Sequence, residues 1–326
     1  MAAVTMVQAI NMALARAMAE DPQVVVLGED VGRDGGVFRA TEGLLDRFGA
    51  DRVFDTPLAE AAIAGVAVGL AAQGFRPVAE IQFSGFIYPA LDQMISHAAR
   101  MRNRTRGRLT CPMVLRAPNG GGIRAAELHS ESPEALFAHV PGLRVALPSS
   151  PERAYRLLLA AIRDPDPVVF LEPTRLYRAG SEDVADDGKA APLDRAFVLR
   201  PGEDLTLVAW GGVVPMALAA AERLAEEGIS AEVVDMAWLK PLDTATLIES
   251  VARTGRCVIA QEAARSGGVG AEIAARLAER VLDRLAAPIE RVAAYDAVLP
   301  YPRLEAHCLP SETRLLAAAR RAMGRA

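Results

Sequence analysis

The sequence predicts an α/β protein made of two open, mostly parallel sheets with helices on both faces. Three observations carry that expectation. Short β-branched apolar runs recur along the chain with helical patterns between them, which is how buried parallel strands joined by crossover helices read. The alternation lapses once, around residues 178–193, and then resumes. A length of 326 residues, 51% hydrophobic and 24% charged, is enough for two folded domains.

The first half reads as follows. Thr5 and Gln8 form a capping box ahead of a helix whose Val7, Ile10, Leu14 and Met18 share one face. Val24 to Leu27 is a buried-strand run ended by Gly28-Glu29-Asp30, and the carboxyl ends of such strands carry the functional loops of α/β proteins. The pattern repeats at Arg52 to Phe54, Pro77 to Phe83, Met113 to Leu115, Leu143 to Leu147 and Val168 to Leu171. Gly180 to Asp183 and Asp186 to Lys189 are polar and turn-rich, as an interdomain connection is, so domains are expected over residues 1–186 and 187–326. In the second, strands are expected at Leu205 to Trp210, Ala231 to Met236, Cys257 to Ala260 and Ile289 to Ala294. Helices fall over Pro215 to Glu227, after Leu242 and after Gly270.

Composition excludes several classes of function. With 36 basic and 41 acidic residues, a net charge of −5, the chain has no field for holding a phosphate backbone, and no nucleic-acid partner is expected. The alternating Arg100, Arg102, Arg104, Arg106 and Arg108 read as a solvated helix end in preference to a docking patch. No uncharged stretch, Ala61 to Gly74 included, reaches the roughly 20 residues a membrane helix needs. No secretory signal opens the chain, and Cys111, Cys257 and Cys308 have neither disulfide nor zinc spacing, so a cytoplasmic protein with no membrane contact is expected.

Two segments stand out locally. In Asp55-Thr56-Pro57-Leu58-Ala59-Glu60, Thr56 reads as a helix cap and Pro57 as its first residue, and the helix that follows is apolar all round and should be buried. Glu60 then lies in the first turn. Local sequence leaves two readings open: an acid completing the cap, or a functional carboxylate beside a region with little water. The second segment, Pro118 to Glu131, is a loop with Gly120-Gly121-Gly122 and then His129-Ser130-Glu131. His97, His139 and His307 read as structural, whereas His129 sits where general acid/base chemistry would. Gly267-Gly268-Val269-Gly270 reads as a glycine turn starting a helix, since a dinucleotide loop belongs after the first strand of its domain.

Read together, Leu27-Gly28-Glu29-Asp30-Val31-Gly32, Phe54 to Glu60, Ala79-Glu80-Ile81-Gln82-Phe83, Tyr88 to Gln93, His129 to Glu134, Phe170 to Pro173 and Gly267 to Glu272 closely resemble the beta subunits of thiamine-diphosphate-dependent 2-oxo acid dehydrogenases. The pyruvate, branched-chain and acetoin enzymes make up this family, and the resemblance runs nearly end to end. It implies a transketolase-like fold whose N-terminal domain binds the aminopyrimidine half of the cofactor and whose C-terminal domain serves assembly. Glu60 falls on the family's cofactor-activating glutamate, which bonds the pyrimidine ring nitrogen and favours the tautomer that removes the thiazolium proton. His129 matches the histidine near acyl transfer to a lipoyl arm. Leu58, Gln82 and Phe86 match the pyrimidine pocket, with Phe86 standing where relatives often have Tyr, and Glu29 matches an acid linking paired active sites. Relatives often carry His-His-His-Ser-Gln where this chain has Glu127-Leu128-His129-Ser130-Glu131, so only His129 carries over.

The resemblance also implies partners. The chain lacks the Gly-Asp-Gly segment with a following Asn that holds magnesium and the diphosphate, so an alpha subunit is expected to supply that half in an alpha-two beta-two tetramer docked on a lipoyl acyltransferase core. Some relatives bind potassium near the positions of Asp164 and Asp166; no metal ligand is read from this sequence itself. The implied function is decarboxylation of a 2-oxo acid and reductive acylation of a lipoyl group, with pyruvate, a branched-chain acid and acetoin all open as substrate. The rivals are a nicotinamide-dependent Rossmann oxidoreductase and a non-catalytic scaffold subunit.

Overall fold

The computed structural model describes residues 3–325. Strand β1 (Ala3–Thr5) leads into α1 (Met6–Glu20), where Thr5 and Gln8 form the expected capping box. Then come β2 (Val24–Gly28), α2 (Leu44–Phe48), β3 (Val53–Asp55), α3 (Glu60–Ala72), β4 (Arg76–Glu80), α4 (Met101–Arg104), β5 (Val114–Asn119), α5 (Glu134–Ala138), β6 (Arg144–Ala146), α6 (Pro151–Arg163), β7 (Val168–Pro173) and β8 (Ser181–Asp183). The second half holds β9 (Phe197–Arg200), β10 (Leu205–Ala209), α7 (Val214–Glu226), β11 (Ala231–Asp235), β12 (Trp238–Lys240), α8 (Thr244–Thr254), β13 (Cys257–Ala264), α9 (Val269–Val281), β14 (Glu290–Ala294), α10 (Pro302–Cys308) and α11 (Glu312–Ala322).

A seven-stranded sheet runs β12-β6-β7-β5-β4-β2-β3 and a five-stranded sheet β14-β13-β10-β11-β9. Both are parallel except at one edge, where β12 and β9 run antiparallel. On the outer face of the first sheet, Ile10, Leu14 and Met18 of α1 meet Tyr155, Leu158 and Ile162 of α6. Each buried side chain of that size contributes about 1.5–3 kcal/mol. Helices α7 and α11 cover the outer face of the second sheet. Between the sheets one continuous core takes Leu27, Ile63 and Leu115 from the first half and Val208, Trp210 and Ile259 from the second. Each half therefore closes its inner face on the other.

Four features differ from expectation. Helix α3 begins at Glu60, with Ala59 as N-cap, so Thr56 does not cap it and Pro57 is not its first residue. The reason is visible in the backbone: the Thr56 amide donates to the Gly28 carbonyl at 2.9 Å, which keeps the chain extended beside β2. Nor is α3 fully buried. Ile63, Ala64, Ala67 and Ala71 face the core, while Val66 is 47% exposed and Ala61, Ala62 and Gly69 also lie open. The polar stretch near residue 180 contains β8, which pairs with β1 antiparallel, and Asp186 binds Arg16 and Tyr155. Finally, β12 comes from the second half yet completes the first sheet, with Trp238 buried in the first half's outer core. In the arginine-rich stretch all five arginines are exposed, and only Arg102 among them is held by a carboxylate, Asp166 at 2.8 Å.

Candidate active site

Strands β2, β3 and β4 end side by side, Gly28 registering with Asp55 on one flank and Glu80 on the other. The connections leaving the neighbouring strands β2 and β4 pack on opposite sides of the sheet, and crevices form outside the carboxyl ends of strands where that happens. Four segments meet there: Glu29 and Asp30 after β2, Asp55 to Glu60 after β3, Gln82 to Phe86 after β4, and the 120–131 loop after β5. The Asp55 carboxylate accepts from the amides of Gly32 at 2.6 Å and Arg33 at 3.2 Å, which folds the β2 loop over the strand ends. Gln82 Nε2 donates to Asp30 Oδ2 at 3.3 Å and ties the β4 and β2 loops together.

Glu60 lies half-buried in the first turn of α3, where the helix dipole favours a carboxylate. Glu29 is buried nearby. Its pKa is raised by burial first, and then by the negative charges of Glu60, Asp30 and Glu80. Leu58 differs from the other candidates, since at 79% exposure it lines no pocket made by this chain.

His129 ends a short 3₁₀ turn, Glu127–His129. Its ring meets Phe83 and Phe86 edge-on at centroid distances of 4.5 and 5.2 Å. The loop is seated by Ser84 Oγ, which donates to the Glu131 carbonyl at 2.7 Å. His129 Nδ1 is buried against this wall with no hydrogen-bond partner, a polar atom without an internal use. The structure thus groups Glu29 with Glu60, Gln82 with Asp30, and Phe86 with His129 on one rim, and leaves Leu58 facing outward.

Beneath the rim lies a cluster the sequence reading did not single out. Arg116 is fully buried between Glu80 and Glu172, bonding the latter through Nε and Nη2 at 2.8 Å each, and the Tyr177 hydroxyl donates to Glu172. Burial alone would lower the guanidinium's pKa, but Glu172 and Glu80 outweigh it and hold the charge. The signal was present in the sequence: charged residues inside buried-strand runs must be paired.

The second-half glycines have a structural explanation. A Cβ at Gly268 would overlap Gln261 Nε2, and the Gly270 amide donates to Gln261 Oε1 at 2.8 Å. Gln261 thus already takes a first-turn amide that a phosphate would use, which counts against a nicotinamide site.

Residues 2–180 match the family described as the transketolase pyrimidine binding domain, and residues 194–315 match the transketolase C-terminal domain. The chain is 48% identical to the pyruvate dehydrogenase E1 component subunit beta of Bacillus subtilis, over 99% of each chain. It is 52% identical to the 3-methyl-2-oxobutanoate dehydrogenase subunit beta of Mycobacterium tuberculosis, over 96% of this chain and 90% of that one. The chain belongs to the E1 beta-subunit family of 2-oxo acid dehydrogenases. Among solved structures, a split-gene transketolase described as an inactive beta4 tetramer superposes with a TM-score of 0.81 at 28% identity over 99% of both chains.

In this E1 beta subunit the oxygens at the potassium position of some relatives already face cationic groups. Arg76 Nη1 donates to the carbonyls of Ile162 at 2.9 Å and Asp164 at 3.2 Å, Arg144 Nε lies 2.9 Å from the Asp164 carboxylate, and Arg102 holds Asp166. These residues do not fit a further cation. Among the described residues, no group of three or more His, Cys, Asp and Glu is placed to hold a metal ion, and no helix is long and apolar enough to cross a membrane.

Glu134, four residues after Ser130, gives the E1 beta chain a measurable pH signature. It is fully buried, accepts from Trp210 Nε1 at 3.3 Å, and burial pushes its pKa up to about 7. A carboxyl raised in the folded state stabilises the fold fully below its unfolded value near 4.5 and loses that contribution as pH climbs through about 7. Glu134→Gln is therefore expected to flatten the decline in stability between pH 5 and pH 8 by up to about 3 kcal/mol. Denaturant unfolding at both pH values measures it, and equal slopes in the two proteins would exclude the titration.

Proposed function

We propose that the chain is the beta half of an alpha-two beta-two enzyme that decarboxylates a 2-oxo acid with thiamine diphosphate and passes the acyl group to a lipoyl group on an acyltransferase core. One observation carries the reading: Glu29, Glu60, Gln82, Phe86 and His129, all matched to positions of the family's active site, converge on one rim at the ends of β2 to β5. The residues fit the aminopyrimidine half of the cofactor, because a half-buried carboxylate and an aromatic wall stand together and His129 Nδ1 is left without an internal partner. When bound, thiamine diphosphate supplies a carbon nucleophile that attacks the 2-oxo group and accepts its electrons as carbon dioxide leaves.

The chain's own residues do the rest on this side. Glu60 holds a proton at the pyrimidine ring nitrogen, and its place on a helix N-terminus fixes it there. Phe86 and Phe83 exclude water from one side of the ring and buttress His129. His129 faces the route of the lipoyl arm and handles the proton exchanged in acyl transfer. Leu58 and the open face of α3 await the alpha subunit, which brings magnesium and the diphosphate ligands. The split-gene neighbour, described as inactive in a beta-only assembly, supports that division of the site. Pyruvate and 3-methyl-2-oxobutanoate are the substrates favoured, because they are the ones named for relatives of comparable identity. The buried cysteines Cys111, Cys257 and Cys308 suit a reducing cytoplasm.

The test separates the two half-reactions. His129→Ala is expected to reduce acylation of a lipoyl domain about 100-fold more than decarboxylation read with an artificial electron acceptor, the low end of a lost acid/base contribution. Equal losses in both assays would assign His129 to cofactor placement and remove its role in transfer.

A further inference from the structure

The glycine triplet of the His129 loop is occupied from the far side by carboxylates of the second half. Glu262, on β13, accepts the Gly121 amide through Oε1 at 2.5 Å and takes Arg175 on Oε2. Glu305, on α10, accepts the Gly122 amide through Oε1 at 2.7 Å and the Arg124 amide through Oε2 at 3.2 Å. Both carboxylates are buried. Three amides within four residues are thus held by two side chains that lie more than 140 positions away in sequence.

The glycines fit this use. A Cβ at Gly120 would overlap Glu262 Oε1, and one at Gly121 would stand 3.2 Å from both Glu305 Oε1 and Leu309 Cδ1. Gly120 and Gly122 each adopt φ of +85°, which turns successive amides toward the acids. The loop closes on itself where the Gly120 amide donates to the Glu131 carbonyl at 2.8 Å, and Trp210 holds Glu134 just beyond. His129 hangs from this closed segment.

We propose that Glu262 and Glu305 are positioning residues: a carboxylate clasp from the second half that sets the 120–131 loop, and so aims His129, for acyl transfer to the lipoyl group. The proposal rests on the function assigned above to His129. It gives the second half a part in the chemistry besides assembly. A buried carboxylate accepting backbone amides is a strong, directional restraint, and removing it frees the loop without removing any residue of the cofactor side.

The test uses the chain assembled with its alpha subunit. In Glu305→Ala and Glu262→Ala, exchange of the amides at 121, 122 and 124 with deuterium is expected to accelerate at least tenfold, and lipoyl-domain acylation to fall about tenfold further than artificial-acceptor decarboxylation. Glu305→Gln keeps the volume and one acceptor oxygen, so it should fold and fall between Ala and the native chain. In a His129→Ala background, Glu305→Ala should cause no further selective loss, because the residue being aimed is gone. Native exchange rates at those amides in all three variants, or additive losses in the double variant, would overturn the proposal. If His129→Ala alone harms both steps equally, the function assigned to His129 fails, and the exchange rates still decide whether the clasp exists.

Discussion

Glu60→Gln, assembled with the alpha subunit and loaded with thiamine diphosphate, is expected to turn over about 100-fold or more slowly than the native enzyme, the scale of a lost general acid/base contribution. The substitution keeps the side chain's size and part of its hydrogen bonding. It removes the titrating proton. If Glu60 only complemented the α3 dipole, the change would cost a few tenths to about 1 kcal/mol of stability and leave catalysis intact. Deuterium exchange at the thiazolium carbon isolates the step from substrate binding and product release. Native exchange and turnover in a folded, cofactor-loaded variant would return Glu60 to a purely structural role.

The purified chain alone is expected neither to bind thiamine diphosphate tightly nor to decarboxylate any 2-oxo acid, and adding the alpha subunit should restore both. The sequence contains no Gly-Asp-Gly segment for magnesium and diphosphate. On the protein surface, Leu58 just before α3 and Val66 on it stand 79% and 47% exposed, apolar side chains with no cover from this chain. Titration calorimetry with and without the alpha subunit, followed by assays with pyruvate and 3-methyl-2-oxobutanoate, covers both properties. Tight binding by the isolated chain would sink the divided site.

Much of the fold was legible because buried parallel strands announce themselves as β-branched runs, and β2, β7, β10 and β13 all do so. The three-residue strands β1, β8 and β12 do not. Strand β12 follows β11 after only Met236 and Ala237, and nothing in the sequence points it at the other sheet. Thr56 misled for a related reason: its capping grammar was sound, but pairing with Gly28 claimed its amide. The apolar composition of α3 led to the expectation of a buried helix, whereas this chain buries only one face of it. Glu60 and His129 emerged through family resemblance, because local residues left Glu60 between two readings. Glu262 and Glu305 were out of reach: nothing near either residue refers to a loop 141 and 183 positions away.

Strand β12 has a consequence for how the protein is made. The seven-stranded sheet takes its last member from residues 238–240, well after all its other strands have been synthesised. While the ribosome is still adding the residues between β7 and β12, β6 stands at the sheet margin with its ladder groups bare, the kind of edge that pairs with other chains. Trp238, which fills the outer core of the first half, arrives only with the same segment. Maturation of the first half is thereby timed by the second, and a nascent chain stalled near residue 186 carries an open template in place of a finished domain.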